Sequence, residues 1–217
     1  MAFPTSPSNN QVHKETGTNR TFVYDSAAGV WDQVKEAQSD MSNITGHIGN
    51  EVTGFTGIKN CDTWRLHTTF YATTSIQTIG ANWERGDARG VTHIGQGMSE
   101  RNGVFTFPST GIWSIEGYFR MNGNGGARTY MQGGVHFTDN DESNWYESAW
   151  AIESCYTGDA YGTAPLKFIF KVGNTTSYKV KFVAYGSGAT RVLGDSTVMY
   201  TYFVFQRIAD LQGDVWN

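Results

Sequence analysis

Hydrophobic and polar residues alternate with a period of two through much of the chain, most clearly in GVFTFPSTGIWSIEGYFRM, Gly103 to Met121. Val104 to Phe107 is a short apolar run, and Pro108-Ser109-Thr110-Gly111 is turn chemistry. Trp113, Ile115, Phe119 and Met121 then alternate with Ser114, Glu116 and Arg120. This pattern predicts two strands and the corner between them, the second strand having one buried and one wet face. Gly117 falls on the apolar row where a side chain is due, which predicts a bulge or a close backbone neighbour.

Similar segments recur with turn residues between them, at 63–72, 76–83, 90–94, 104–107, 112–121, 128–137, 145–155, 166–172, 178–185 and 198–209. Many short strands at this spacing predict an antiparallel sandwich. The last is apolar on both faces: Val198, Tyr200, Tyr202, Val204 and Ile208 on one side, Met199, Phe203 and Phe205 on the other. A doubly apolar strand in such a sandwich needs a second partner, and a subunit interface supplies one.

The first part of the chain follows other periods. Thr21 to Tyr24, the turn Asp25-Ser26-Ala27-Ala28-Gly29, then Val30 and Trp31 predict a small hairpin with an aromatic on each arm. It is too small to hold a core alone. From Asp32, a capping residue, Val34, Ala37, Met41, Ile44 and Ile48 step by three and four, which is a heptad seam. The seam predicts a short coiled-coil helix over 32–53, about 33 Å long, either a stalk that brings copies together or an amphipathic helix lying on its own domain. The seam is weak, with a small Ala37 and helix-disfavoured Gly46 and Gly49. The predicted organisation is therefore an N-terminal module over 1–31, a stalk over 32–53, a hinge over 54–60 and a β-sandwich head over 61–217.

Composition narrows the function classes. Of 217 residues 39% are hydrophobic, 14% aromatic and only 17% charged, and 26 are Gly, which favours β structure with many turns. Sixteen basic against 20 acidic residues give a net charge of -4, the wrong sign for a nucleic-acid partner. No stretch is long and apolar enough to span a bilayer, and the opening residues lack the pattern of a secretory leader. Cys61 and Cys155 form no metal motif; two free thiols are favoured over a single bridge.

No catalytic or cofactor motif stands out. His13, His47, His67, His93 and His136 show no ligand spacing, and there is no nucleophile elbow, phosphate loop or dinucleotide fingerprint. No catalytic residue, metal site or cofactor is expected. The acidic loop TDNDES, with Asp139, Asp141 and Glu142, reads as a solvated turn more readily than a calcium loop. Arg85-Gly86-Asp87 spells an adhesion tripeptide and is read as coincidence. Trp145, Tyr146, Tyr156 and Tyr161 crowd one region of the sequence as candidate glycan-stacking rings, with core or interface packing of Trp145 and Trp150 as the competing reading.

With those residues in view, the segment Gly103–Met121 and the closing DSTVMYTYFVFQRIA resemble the jelly-roll head shared by complement globular heads and the tumour-necrosis-factor family. That resemblance covers about residues 61–209 and implies a homotrimer with Tyr200, Tyr202, Phe203 and Phe205 near the threefold axis. The opening FPTSP and TFVYDSAAGVWDQV are similar to short N-terminal modules of structural proteins in tailed bacteriophages, which implies a virion anchor made by Phe3, Pro4, Phe22, Tyr24 and Trp31. Together they imply a mainly β, TNF-like antiparallel jelly-roll protein with a coiled-coil stalk and a β-hairpin module. Its expected role is a non-enzymatic fibre or spike in the virion, assembled in the bacterial cytoplasm with other phage proteins and binding host surface glycan. A capsid decoration protein and a polysaccharide-degrading enzyme are the competing functions.

Overall fold

The computed structural model describes residues 3–15, 20–34, 58–158 and 160–211. The chain divides into two compact units, Met1–Thr56 and Gly57–Asn217.

In the first unit, β1 (Val12–Lys14), β2 (Thr21–Asp25) and β3 (Val30–Val34) form an antiparallel sheet in that order. The β2–β3 turn closes because Asp25 Oδ1 accepts hydrogen bonds from the Ala27 and Ala28 amides, and Gly29 supplies a φ of 67°. Phe22 and Tyr24 share a face with Trp31 and His13, and Phe3 lies over them, its ring stacked on Trp31 at 5.1 Å. Four of the five predicted anchor residues thus gather into one aromatic cluster, with Pro4 next to Phe3 in sequence. Among the described residues of this unit only Phe22 is buried. The opposite face carries Val12, Val23 and Val30, of which Val12 and Val30 are exposed.

One expectation is corrected here. A helix was predicted to begin at Asp32, yet Asp32 and Val34 belong to β3, paired with Val23 and Thr21. The reason is that Val30, Asp32 and Val34 have low helix propensity while β2 offers a full ladder of partners. The remaining stalk positions, Ala37, Met41, Ile44 and Ile48, lie outside the described residues.

The second unit contains β4 (Cys61–Leu66), β5 (Phe70–Ala72), β6 (Gln77–Thr78), β7 (Trp83–Arg85), β8 (Ser99–Arg101), β9 (Val104–Thr106), β10 (Gly111–Asn122), β11 (Arg128–Thr138), β12 (Tyr146–Cys155), β13 (Tyr161–Val172), β14 (Lys179–Gly186), β15 (Thr190–Val192) and β16 (Tyr202–Ala209). Strand β10 is the hub of one sheet. It pairs along its whole length with β13, and on its other edge with β16 from Ile112 to Tyr118 and with β15 at Met121 and Asn122. That sheet continues from β16 to β4 and β7, and from β15 to β5. The second sheet runs β12-β11-β14-β9-β8, with β6 also on β14. The connections from β9 to β10, β10 to β11, β12 to β13, β13 to β14 and β14 to β15 each switch sheets, so the two inner faces bury each other.

The core between the sheets is aromatic. Phe105, Phe107, Trp113, Phe119, Phe182, Phe203 and Phe205 are all at most 2% exposed, and Phe182 stacks on Phe203 with centroids 4.0 Å apart. Burying each ring contributes about 1.5–3 kcal/mol. Phe203 and Phe205 were expected at a subunit interface; they face inward because β16 must close this core, and no second chain can reach them. Gly133 and Gly134 make room for rings on both sides of β11: a Cβ on Gly133 would stand 2.3 Å from Phe119, and one on Gly134 2.6 Å from Trp150.

Buried charges are held by partners. The Asp62 carboxylate accepts hydrogen bonds from Trp64 Nε1 and the Met98 amide at 2.8 Å and from Arg85 Nε at 3.0 Å. Arg65, fully buried, pairs with Glu84 and Asp87. Arg85 and Asp87 are each engaged in an ion pair within the domain.

Some predicted strands are different in the structure. The segment 63–72 is two strands in one sheet, β4 and β5, separated by a turn, and 90–94 makes only the isolated bridge Cys61–Ile94. The last strand begins at Tyr202 rather than 198, because the preceding residues bend out of the sheet.

Candidate functional site

The outward face of the β10 sheet follows from parity. With Trp113, Ile115 and Phe119 turned inward, Ser114, Glu116, Tyr118 and Arg120 must point outward. Register sets Tyr118 between Tyr202 on β16 and Pro165 on β13, Glu116 between Val204 and Lys167, and Ser114 between Gln206 and Ile169. The Tyr118 and Tyr202 rings meet edge to face at 4.7 Å, and the Tyr118 hydroxyl donates to the Met199 carbonyl at 3.3 Å. Burial, and then the neighbouring Tyr202, push the Tyr118 phenol above its ordinary range. Lys167 and Glu116 are an exposed ion pair at 2.8 Å.

Two shallow depressions flank the tyrosine pair. One of about 370 Å³ is lined by Tyr118, Tyr202, Val204, Gln206 and Pro165; the other, about 500 Å³, lies between Tyr202, Val204 and the loop residues Val91, Thr92 and Met199. Aromatic rings and aliphatic side chains at the centre, with polar groups around them, are the make-up of a protein-contact surface. Of the residues expected at a subunit interface, Tyr200 and Tyr202 lie on this outward side. Tyr118 was not anticipated, although the same alternation that put Trp113 inside puts Tyr118 outside.

The candidate glycan residues do not form one platform. Trp145 lies beneath Lys181 Nζ at 4.1 Å, and Tyr146 packs on Phe137. Tyr156 is 92% exposed beyond the far end of β12, about 30 Å of strand away, and Tyr161 stands on the other sheet, under Arg120. Crowding in sequence was not crowding in space because β12 is a long strand whose two ends carry different rings.

The outward face of the second sheet has its own cluster. Trp150 covers Gly134 and meets His136 at 5.5 Å and Tyr185 at 5.4 Å, while its Nε1 donates to Glu147 at 3.0 Å. His136 is buried and its Nε2 has no protein partner among the described residues. Burial holds its pKa below the ordinary 6.5, against the pull of Glu147 and with the help of Lys181. The neutral ring is thus the form the fold keeps, and unfolded chains take up the proton first. Stability should be fully present above about pH 6.5 and decline as pH falls through the lower folded-state value. Urea midpoints measured across that window should fall for the natural chain and fall less for His136→Gln; equal declines would remove His136 as the source.

Other candidate sites resolve into structural contacts. Lys179 Nζ pairs with Glu142 at 2.8 Å and also with Asp141, and these carboxylates push its pKa up. No group of three or more potential metal ligands occurs among the described residues. Cys61 and Cys155 are free thiols; burial, and then Asp62, push Cys61 above its usual range. No helix among the described residues is long and apolar enough to cross a membrane.

Comparison with known proteins bears on the head. No family model matches the sequence, and no curated protein sequence does. Solved structures do. Eiger TNF from S. frugiperda superposes with a TM-score of 0.54 at 10% identity, over 74% of this chain and 99% of that one. The fold is a tumour-necrosis-factor-like jelly roll. Murine APRIL, in a crystal structure at pH 8.0, is similar with a TM-score of 0.50 at 13% identity, over 69% of this chain and 98% of that one. At such identities the likeness is one of fold, and the sandwich predicted from alternation is the fold observed.

Proposed function

We propose that this chain is a non-enzymatic homotrimeric virion protein of a tailed bacteriophage, a short fibre or spike whose head faces outward and binds host surface glycan. The observation that carries the trimer is the outward face of the β10 sheet, where Tyr118, Tyr202 and Val204 form an aromatic and aliphatic patch between two depressions. An edge-to-face tyrosine pair on an open sheet gains most when another copy covers it. The TNF-like fold of the head supports this reading, since the sequence resemblance implies trimers with the terminal strands near the threefold axis, and Tyr202 and Val204 are on the last strand.

The N-terminal unit is the virion anchor in this proposal. Phe3 closes its aromatic side, so the docking contact uses the other side, on the exposed Val12 and Val30 with Val23 between them. Phe3, Phe22, Tyr24 and Trp31 then serve the anchor by shaping it.

Light scattering of the full chain at micromolar concentration should give the mass of three copies, and labelled-particle imaging should find it on phage virions. A single-copy mass would end the trimer, and particles free of the protein would end the virion role.

A further inference from the structure

Strand β10 changes neighbours near its end. It pairs with β16 up to Tyr118 and with β15 from Met121, and the chain between those strands leaves the sheet at the intervening step. A cavity of about 290 Å³ opens there, and its lining includes Arg120, Arg191, Tyr161, Tyr200, Asn122 and Thr69. The register explains why these side chains meet: Asn122 lies between Arg191 on β15 and Tyr161 on β13, and Arg120 is one outward step away on β10.

Two arginines thus contribute to the lining of one small cavity that has no carboxylate in its lining. Arg120 is held between the rings of Tyr200 at 4.9 Å and Tyr161 at 5.4 Å, and Arg191 lies over Tyr71 at 5.9 Å. Among the described residues neither forms an ion pair with a carboxylate. Arg191 Nε is buried and has no hydrogen-bond acceptor among the described residues. A buried donor without an acceptor is destabilising, and a paired arginine fork is the side-chain arrangement best matched to a planar or tetrahedral oxyanion.

We infer that this cavity binds an oxyanion, a carboxylate or sulfate group carried on a sugar. Arg191 and Arg120 take the anionic group, with the hydroxyl of Thr69 and the amide of Asn122 as further donors. Tyr161, 61% exposed, offers a ring to the attached sugar at the mouth. The inference rests on the host-attachment part of the proposed function and deepens it by naming acidic saccharides as the ligand class; it requires that Arg120 and Tyr200, at the end of the outward face, stay uncovered when the patch at Tyr118, Tyr202 and Val204 is buried.

The test is calorimetric titration of the full chain with a galacturonate oligosaccharide, a neutral galactose oligosaccharide of equal length, and sodium sulfate. The acidic sugar should bind saturably, the neutral sugar should not, and sulfate should compete with the acidic one. Arg191→Gln and Arg120→Gln should each weaken binding by about tenfold or more, and Arg191→Lys should recover only part of it. Sulfate binding that is lost in Arg191→Gln, with no binding of the acidic sugar, would keep the oxyanion site and assign a free anion as its ligand. Failure of the natural chain to bind either anion would overturn the inference, as would equal binding of both sugars or affinity unchanged in both glutamine variants. Light scattering on the same samples separates this outcome from failure of the trimer, and near-ultraviolet circular dichroism checks that the variants are folded.

Discussion

In the proposed trimer, Tyr202→Glu should convert three-copy particles to single chains while leaving the head folded. Tyr202 lies on the outward face, its ring against Tyr118 and its backbone paired with both Tyr118 and Arg65, so the strand ladder does not depend on its side chain. A carboxylate placed there shares its face with Glu116, while Arg65 opposite is already held by Glu84 and Asp87 and Arg120, the next outward residue on β10, is held between the rings of Tyr200 and Tyr161. Covering an unpaired charge costs about 3 kcal/mol or more, and an assembly of three bears that cost three times. Self-association should therefore weaken by several orders of magnitude. Light scattering over a range of concentrations reads the change, with circular dichroism as the control for folding. Trimers that survive with unchanged affinity would show that the patch is not the contact.

Gly117→Ala should destabilise the head by about 3 kcal/mol or more. Gly117 lies midway along β10, directly opposite Phe203. A Cβ built there would stand 2.0 Å from the Tyr202 carbonyl oxygen and 2.7 Å from the Phe203 ring. The first neighbour is backbone in the sheet's own ladder and the second is a fully buried ring stacked on Phe182, so neither can yield without opening the core. Urea unfolding at fixed protein concentration measures the loss. A midpoint close to that of the natural chain would mean that β10 and β16 can separate locally, and that the approach seen here is not required for stability.

The missing side chain at Gly117 was legible in the sequence as a close backbone neighbour, because it interrupts a strict alternation. The same alternation located β10, β11, β12 and β14 closely. It was weakest where strands are two or three residues long: β8 and β15 were not anticipated, since three residues are too few to display a period. Phe203 and Phe205 were misassigned for a different reason. Alternation says that two faces differ, but which face meets the other sheet is a tertiary fact, and on β16 both rows are apolar. Arg120 and Arg191 are far apart in the chain and carry no motif; only the exchange of β16 for β15 beside β10 brings them together. The helix prediction failed at its start because the pairing available to residues 32–34 lay in β2, a partner the heptad pattern does not consider.

The ladder between β4 and β16 joins Cys61–Leu66 to Tyr202–Ala209, segments from opposite ends of the head. A sheet that closes only when such distant pieces meet is expected to form slowly, on the millisecond-to-second scale typical of all-β domains. The corresponding expectation for release is that dismantling must strip β16 from β10 and β4 together. Such a head would endure less through a deep equilibrium well than through a high barrier to opening, a form of persistence measured as a lifetime rather than a melting point.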